Sequence, residues 1–168
     1  MCVLAHLGDP AAGDVLRDHP PHLPQRGHIP TQGAWGALAK IVESLALLGR
    51  RDEAAALHES TEDLVATGVQ WYANSLFATA AGIASTCARE WARAEAHHQQ
   101  AIRQADASYR ICQPEARVWY ADMLLARAAV GDRDRARVLL AEALSLNESI
   151  GMPGFAQRTR ARLAATAG

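Results

Sequence analysis

Apolar residues between positions 113 and 153 recur every three to four residues, which predicts two helices joined by a short turn. Pro114 suits the first turn of the first helix, where its missing N–H would have no partner. Gly131 is predicted to end that helix, Asp132 to cap the next, and Gly151 to end the second. The apolar stripe of the second helix consists of Ala136, Leu139, Leu140, Ala143 and Leu144. One such stripe cannot form a core alone, so the hairpin is expected to pack against similar neighbours.

The same turn recurs along the chain with a period near 41 residues. The turn positions are Gly8, Gly49, Arg89 and Gly131, and the small residues five positions later are Gly13, Ala54, Ala94 and Ala136. Agreement in both period and offset indicates an internal repeat. It predicts an all-α fold, a tetratricopeptide-like α-solenoid of antiparallel helical hairpins. Because Arg89 replaces the turn glycine, the middle hairpin is expected to close with a different geometry.

The repeat pattern divides the chain into two segments. Residues 1–32 are expected to be the remnant of a preceding repeat, with a short helix at 11–17, followed by a Pro- and His-rich loop. Residues 33–168 are expected to form the helical-repeat domain. Its other predicted helices span 33–48, 52–68 with Asp52 as cap, 71–87, 90–108 and 155–165. Because the chain starts halfway through a repeat, which leaves an apolar edge uncovered, it is expected to be a fragment of a longer protein.

Composition and charge narrow the classes of function. The formal net charge is -1, so the chain lacks the basic face that nucleic acid binding requires. Cys2, Cys87 and Cys112 lie far apart without a CxxC motif, which favours reduced cytoplasmic thiols over disulfides or structural zinc. Residues 65–88 carry no charged side chain, yet their polar residues favour a buried helix over a membrane span. Neither nucleic acid nor a membrane is therefore an expected partner.

The segment 113–153 also resembles a known family. The residues that carry the resemblance are Gln113-Pro114-Glu115, Arg117, Trp119-Tyr120-Ala121, Met123-Leu124, Gly131-Asp132-Arg133-Asp134, Leu139-Leu140, Glu142-Ala143 and Ile150-Gly151-Met152-Pro153. The block is similar to the C-terminal tetratricopeptide-like region of large bacterial signalling proteins. These join an AAA-type or NACHT-like ATPase to an adenylate or guanylate cyclase, a protein kinase or a LuxR-type DNA-binding domain. Asn147 departs from the family, which usually has an aromatic residue there.

A repeated aromatic dipeptide is the candidate partner site. Trp71-Tyr72 and Trp119-Tyr120 are both predicted to lie in the first helices of their hairpins. In tetratricopeptide stacks the first helices line the concave surface, so these four residues would form a groove for a partner peptide. The alternative, which we favour on sequence, is that they wedge adjacent helices apart in a core with few large residues.

The histidines have a simpler structural interpretation than metal binding. His58 and His98 occupy the repeat position of Leu140, and both are expected to be packing residues with one solvated nitrogen each. A second cluster lies in the predicted loop and consists of Asp18, His19, His22 and His28. Its spacing matches no zinc motif.

The charged clusters likewise indicate no catalytic site. Glu59, Glu62 and Asp63 look solvated, without the apolar pocket that acid–base catalysis needs. A second run, which alternates Arg133, Arg135 and Arg137 with Asp132 and Asp134, is typical of a self-neutralised turn. P-loop, GxSxG and HExxH motifs are absent from the sequence. The sequence therefore predicts no catalytic, cofactor-binding or metal-binding residue.

Repeat pattern and resemblance together predict a non-catalytic helical-repeat module for protein–protein interaction or intramolecular regulation. Its partner would be a protein, a peptide or a neighbouring domain of the same parent chain. The family keeps its catalytic residues in other domains, so the resemblance implies no active site here. Two alternatives stay open: the sensor end of a cyclase or AAA ATPase, and the regulatory domain of a LuxR-type transcription factor.

Overall fold

The computed structural model describes residues 2–18, 23–24, 31–72 and 74–166. Helices dominate this part of the chain, which confirms the all-α class. The α-helices are α1 Cys2–Leu7, α2 Ala11–Asp18, α3 Gln32–Leu47, α4 Arg51–Ala56, α5 His58–Ala66, α6 Phe77–Cys87, α7 Trp91–Ser108, α8 Gln113–Arg127, α9 Asp132–Ile150 and α10 Pro153–Ala165. A short antiparallel hairpin pairs β1 Trp71–Tyr72 with β2 Ser75–Leu76, and a 3-10 helix Arg110–Cys112 precedes α8. Most of the predicted Pro- and His-rich loop, including its three histidines, lies outside the described residues.

The helices pack as successive antiparallel pairs. The pairs are α1 with α2, α3 with α4, α6 with α7, and α8 with α9, and α10 packs on α9. The first helices of neighbouring pairs also touch, since α1 contacts α3, α3 contacts α6, and α6 contacts α8. The second helices α4, α7 and α9 contribute small side chains to the core, since Ala54, Ala94 and Ala136 are all completely buried.

The predicted α8–α9 hairpin is present, but its turn differs from the expected one. Helix α8 ends at Arg127, and Ala128 takes the left-handed conformation with φ 54°. Asp132 does not cap its own helix. Its Oδ2 accepts hydrogen bonds from the Arg127 Nε at 2.8 Å and from the Ala129 N–H at 2.9 Å. The aspartate therefore holds the turn between α8 and α9 by accepting from the Arg127 guanidinium and from the Ala129 backbone N–H.

The turn at Arg89, by contrast, has the same geometry as the glycine turns. The φ angles are 71° at Gly8, 74° at Gly49 and 60° at Arg89. In each turn the N–H of the following residue donates a hydrogen bond of 2.9 Å to a carbonyl of the preceding helix. The donor and acceptor pairs are Asp9 and Leu4, Arg50 and Leu45, and Glu90 and Ser85. The expectation of a different middle hairpin is therefore wrong, because Arg89 takes the same left-handed conformation as the turn glycines.

The helix predicted at 71–87 begins only at Phe77. Helix α5 ends at Ala66, residues 67–70 are exposed, and the β1–β2 hairpin follows before α6 begins at Phe77. Trp71 and Tyr72 therefore lie in a strand and not in the first helix of a hairpin. Asn74 turns the chain with φ 62°, and Phe77 N–H bonds the Gln70 carbonyl at 2.9 Å. Glycine, asparagine and two aromatic residues in this stretch are compatible with a turn between two strands, and the pairing of Trp71 with Leu76 stabilises that hairpin.

Helix α6 itself is the expected buried helix, since each residue from Phe77 to Ser85 is buried. Among the described residues, we find no helix that combines the length and the apolar character needed to cross a bilayer. Asp52 is not a cap either, because α4 already begins at Arg51 and its N-terminus has no side-chain cap. The tight turn at Gly49 brings the chain directly into α4 and leaves Asp52 in its first turn.

The left-handed conformation at Arg89 leads to the first testable prediction. For a residue with a Cβ this conformation costs about 1 kcal/mol or more in conformational energy, whereas for glycine it is not strained. Arg89→Gly is expected to raise the free energy of unfolding by about 0.5–1 kcal/mol, as measured by chemical denaturation. The matched control is Arg93→Gly on the exposed side of α7, where glycine should lower stability by about 1 kcal/mol. Equal losses from both substitutions would contradict the turn geometry.

Candidate functional site

A cavity of about 380 Å³ lies where α1, α3, α8 and α10 meet. Its apolar walls come from Val3, Leu47, Ile111, Pro114, Val118, Trp119, Met152 and Phe155. Its polar and ionisable groups come from Cys2, His6, Lys40, Glu43, Asn74, Glu115, Asn147, Arg158, Thr159 and Arg162. A volume of this size is within the range of small-ligand pockets. We call it the terminal cavity, since α1 and α10 close it from opposite ends of the described chain.

Glu43 is the most enclosed charge of the terminal cavity, at 3% exposure. Its Oε1 lies 2.6 Å from His6 Nε2 on α1, and its Oε2 accepts a hydrogen bond of 2.9 Å from Lys40 Nζ. Burial alone would raise the pKa of Glu43, but the His6 hydrogen bond and the Lys40 charge outweigh it and lower the pKa to about 2. Glu43 is therefore ionised and ties α1 to α3.

Glu115 on α8 faces this carboxylate from the other wall. Its desolvated surroundings and the negative charge of Glu43 raise the pKa of Glu115 well above its usual range. The pKa values of the two carboxyl groups in the cavity are thus shifted in opposite directions. The same surroundings act on Cys2, where burial and the Glu43 charge raise the pKa of the thiol to about 11.

The α10 side of the cavity contributes a cation and an apolar rim. The Arg158 guanidinium lies 4.3 Å from the centre of the Phe155 ring, and its Nη1 donates a hydrogen bond of 3.3 Å to the His6 carbonyl. No carboxylate among the described residues lies within 4.0 Å of Arg158. Val3, Ile111 and Phe155 line the opening and are 72%, 48% and 38% exposed. The opening therefore offers apolar surface next to a positive charge without an acidic partner in the described chain.

A second pocket of about 430 Å³ continues the groove between α3, α6 and α8. It shares Leu47, Trp119 and Arg162 with the terminal cavity, so these three side chains separate the two spaces. Asp122 lies in this pocket, and its Oδ2 is 3.3 Å from Arg162 Nη2. Trp119 therefore lines both the terminal cavity and this second pocket.

Of the four aromatic residues predicted to line a groove, the structure places only Trp119 there. Tyr120, one residue later, points about 100° away and is buried against His98, with ring centres 5.8 Å apart. Trp71 stacks on Tyr109 at 5.6 Å. Tyr72 packs against the core, and its ring lies so close to Gly36 that a side chain at that position would overlap it. Trp119 also packs against the α3–α6 core, as the wedge interpretation predicts.

Tyr120 belongs to a polar network that joins α7, α8 and α9. Its hydroxyl donates to Glu95 Oε1 at 2.7 Å, and the other oxygen of Glu95 accepts from Arg127 Nη1 at 2.7 Å. Arg135 also bonds Glu95 at 3.0 Å. The interpretation of the arginine and aspartate run as a self-neutralised turn is therefore wrong: Arg135 pairs with α7, and Asp132 pairs with Arg127 on α8.

The paired histidines are packing residues, but not with a solvated nitrogen each. His98 is completely buried, stacks on Tyr120 and fills the space beside Gly82, where a Cβ would lie 2.6 Å from its ring. Its Nε2 lies 3.3 Å from Thr86 Oγ1. His58 is 8% exposed and shares Glu62 with His97, whose Nε2 lies 2.8 Å from Oε1. Glu62 is therefore bound between helices and is not simply solvated.

Sequence reasoning missed the ionisable groups of the terminal cavity. These are Cys2, His6, Lys40, Glu43, Glu115, Arg158 and Arg162. They come from four helices that are far apart in sequence, so the spacing of residues within one helix connects some pairs but not the whole set. One signal was present: Lys40 and Glu43 interrupt α3, where almost every other residue between 38 and 45 is apolar or small. Charges inside such a run point to partners from other helices.

The burial of His98 leads to a prediction for acid stability. Burial lowers the pKa of His98 to about 3, so the folded chain does not take up the proton that the unfolded chain binds near pH 6.5. Stability from this residue is therefore constant above pH 7 and falls as the pH drops from 6.5 towards 3. His98→Gln should remove this slope of at most about 1.4 kcal/mol per pH unit. The check is the difference in unfolding free energy between the two proteins at pH 7.5, 6, 5 and 4. A difference that does not change with pH would show that His98 titrates normally.

Comparison of the chain with family models, with curated proteins and with solved structures found no match. The case for a function therefore rests on the geometry and chemistry of the terminal cavity itself.

Proposed function

We propose that the chain is a non-catalytic helical binding module, a tetratricopeptide-like α-solenoid with a period near 41 residues. Its terminal cavity takes a peptide segment, from a partner protein or from a neighbouring domain of a longer parent chain. The pairwise packing of successive helices and the repeated left-handed turns support this proposal. Binding would act through shape and orientation, without a chemical step.

One observation carries the proposal: the opening of the terminal cavity combines exposed apolar side chains with Arg158. Val3, Ile111 and Phe155 are large apolar residues that a bound segment would cover. Arg158 has its guanidinium over Phe155 and no carboxylate partner in the described part of the chain. A segment with apolar side chains and one carboxylate complements both features.

Binding is favoured over acid–base catalysis at the carboxyl pair. Glu43 has hydrogen-bond partners on both oxygens, His6 and Lys40, and it is almost completely buried. A general base must reach the proton it removes, within hydrogen-bond distance of a substrate. Glu43 is therefore better suited to hold helices around the cavity than to react.

The larger architecture remains a prediction. A module of this kind at the end of an ATPase, a cyclase or a LuxR-type regulator would report binding by reorienting the attached domain. The resemblance of residues 113–153 to such proteins supports that context. The binding proposal itself does not depend on which of these domains is attached.

The proposal is tested by selecting peptides on the immobilised chain from a random dodecapeptide display library. Selected peptides are synthesised, and their Kd is measured by fluorescence anisotropy. Enrichment of apolar peptides with an acidic residue is expected. Arg158→Gln should weaken their binding at least tenfold, or about 1.4 kcal/mol.

Arg160→Gln is the matched control, because Arg160 lies on the same helix and pairs with Glu148 at 2.6 Å outside the cavity. It should leave the Kd within about twofold. Val3→Asp should also weaken binding, since it places an acidic group on the apolar rim. Peptides that bind equally well to the Arg158 and Val3 variants would contradict the assignment of the terminal cavity. So would a library that yields no binder.

A further inference from the structure

Three potential metal ligands of different chemistry converge at the edge of the terminal cavity. Cys2 and His6 are four residues apart on α1, so their side chains lie on the same side of the helix. Glu43 reaches them from α3. One atom of each residue, the Cys2 Sγ, the His6 ring nitrogen and a Glu43 carboxylate oxygen, lies within 4.8 Å of the other two.

The separations are close to those in a metal site. Zn²⁺ binds sulfur at about 2.3 Å and nitrogen or oxygen at about 2.0–2.1 Å, which puts neighbouring ligands of a tetrahedral ion about 3.3–3.8 Å apart. His6 Nε2 and Glu43 Oε1 are 2.6 Å apart and would have to separate slightly. The Cys2 Sγ lies within 4.8 Å of both atoms.

The second oxygen of Glu43 already has a partner. Lys40 Nζ donates a hydrogen bond to Oε2 at 2.9 Å, which fixes the carboxylate and leaves Oε1 beside His6 Nε2. Bonds of this kind, from a neighbouring residue to the non-coordinating oxygen, orient carboxylates in metal sites. Lys40 therefore supports a ligand without occupying the metal position.

We propose that Cys2, His6 and Glu43 form a site for a single Zn²⁺ ion, with the fourth coordination position open to the terminal cavity. The ion bonds the Cys2 thiolate, the His6 Nε2 lone pair and Glu43 Oε1. The thiol proton leaves to solvent, and the His6 proton is held on Nδ1. A mixed set of sulfur, nitrogen and oxygen ligands is typical of Zn²⁺. Three protein ligands leave one position for water or for a carboxylate of a bound ligand.

The site is tested with the metal alone, so its outcome does not depend on peptide binding. The chain is stripped with a chelator and titrated with Co²⁺ and then with Zn²⁺, with stoichiometry from elemental analysis. One equivalent of Co²⁺ is expected, with a thiolate-to-cobalt charge-transfer band and the intense visible bands of four-coordinate cobalt. Zn²⁺ should displace it and abolish both.

Variants separate this site from other thiols. Cys2→Ser and Glu43→Gln should each weaken Co²⁺ binding by more than about 100-fold. This exceeds the loss expected when a residue that only orients a metal ligand is removed. The control is Cys87→Ser, because Cys87 is also half-buried but lies outside the cluster. It should bind as the unmodified chain does. Cobalt binding without a thiolate band, or equal binding by the Cys2 and Cys87 variants, would overturn the proposal.

A measurement on the unmodified chain guards against variants that fail to fold. Zn²⁺ should protect Cys2 from alkylation at least tenfold, as peptide-level mass spectrometry reports. The rate at Cys87 should not change. Equal alkylation of Cys2 with and without Zn²⁺ would contradict coordination by its sulfur.

Discussion

The burial of the Glu43 carboxylate is the constraint on which the candidate site depends. An ionised carboxylate at 3% exposure is stable only with close, well-oriented partners. His6 supplies one from α1, and Lys40 supplies the other from one turn away on α3. The first bond draws the N-terminal helix onto α3, and the contacts of His6 and Arg158 then bring α10 to the same place. A carboxylate that needs partners thus positions the walls of the terminal cavity.

Small side chains let this convergence occur without a large core. Ala54, Ala94 and Ala136 in the second helices of three pairs are fully buried. The turns at Gly8, Gly49 and Arg89 share the left-handed conformation, and the first helices of successive pairs are in contact. Residues that are distant in sequence therefore meet in one groove, with Trp119 between its two pockets.

The features that the sequence predicted correctly depend on residues close to one another in the chain. Apolar spacing and turn glycines predicted α8, α9 and their all-α context, because these depend on neighbouring residues. The strand at Trp71 was missed, since its pairing competes with an equally plausible helical pattern. The left-handed turn at Arg89 was also missed, because tertiary packing outweighs the preference of arginine. Of the cavity residues only Trp119 was identified. The cluster around Glu43 joins helices through contacts that no periodicity reveals.

A double-mutant cycle on His6 and Glu43 tests the central claim most directly. Unfolding free energies of the unmodified chain, His6→Ala, Glu43→Gln and the double variant are measured at pH 7 in the presence of a chelator. A buried interaction between α1 and α3 predicts a coupling energy of at least about 1 kcal/mol. Effects that add to within about 0.5 kcal/mol would mean that α1 is not held by Glu43, and the terminal cavity would lose the wall that defines it.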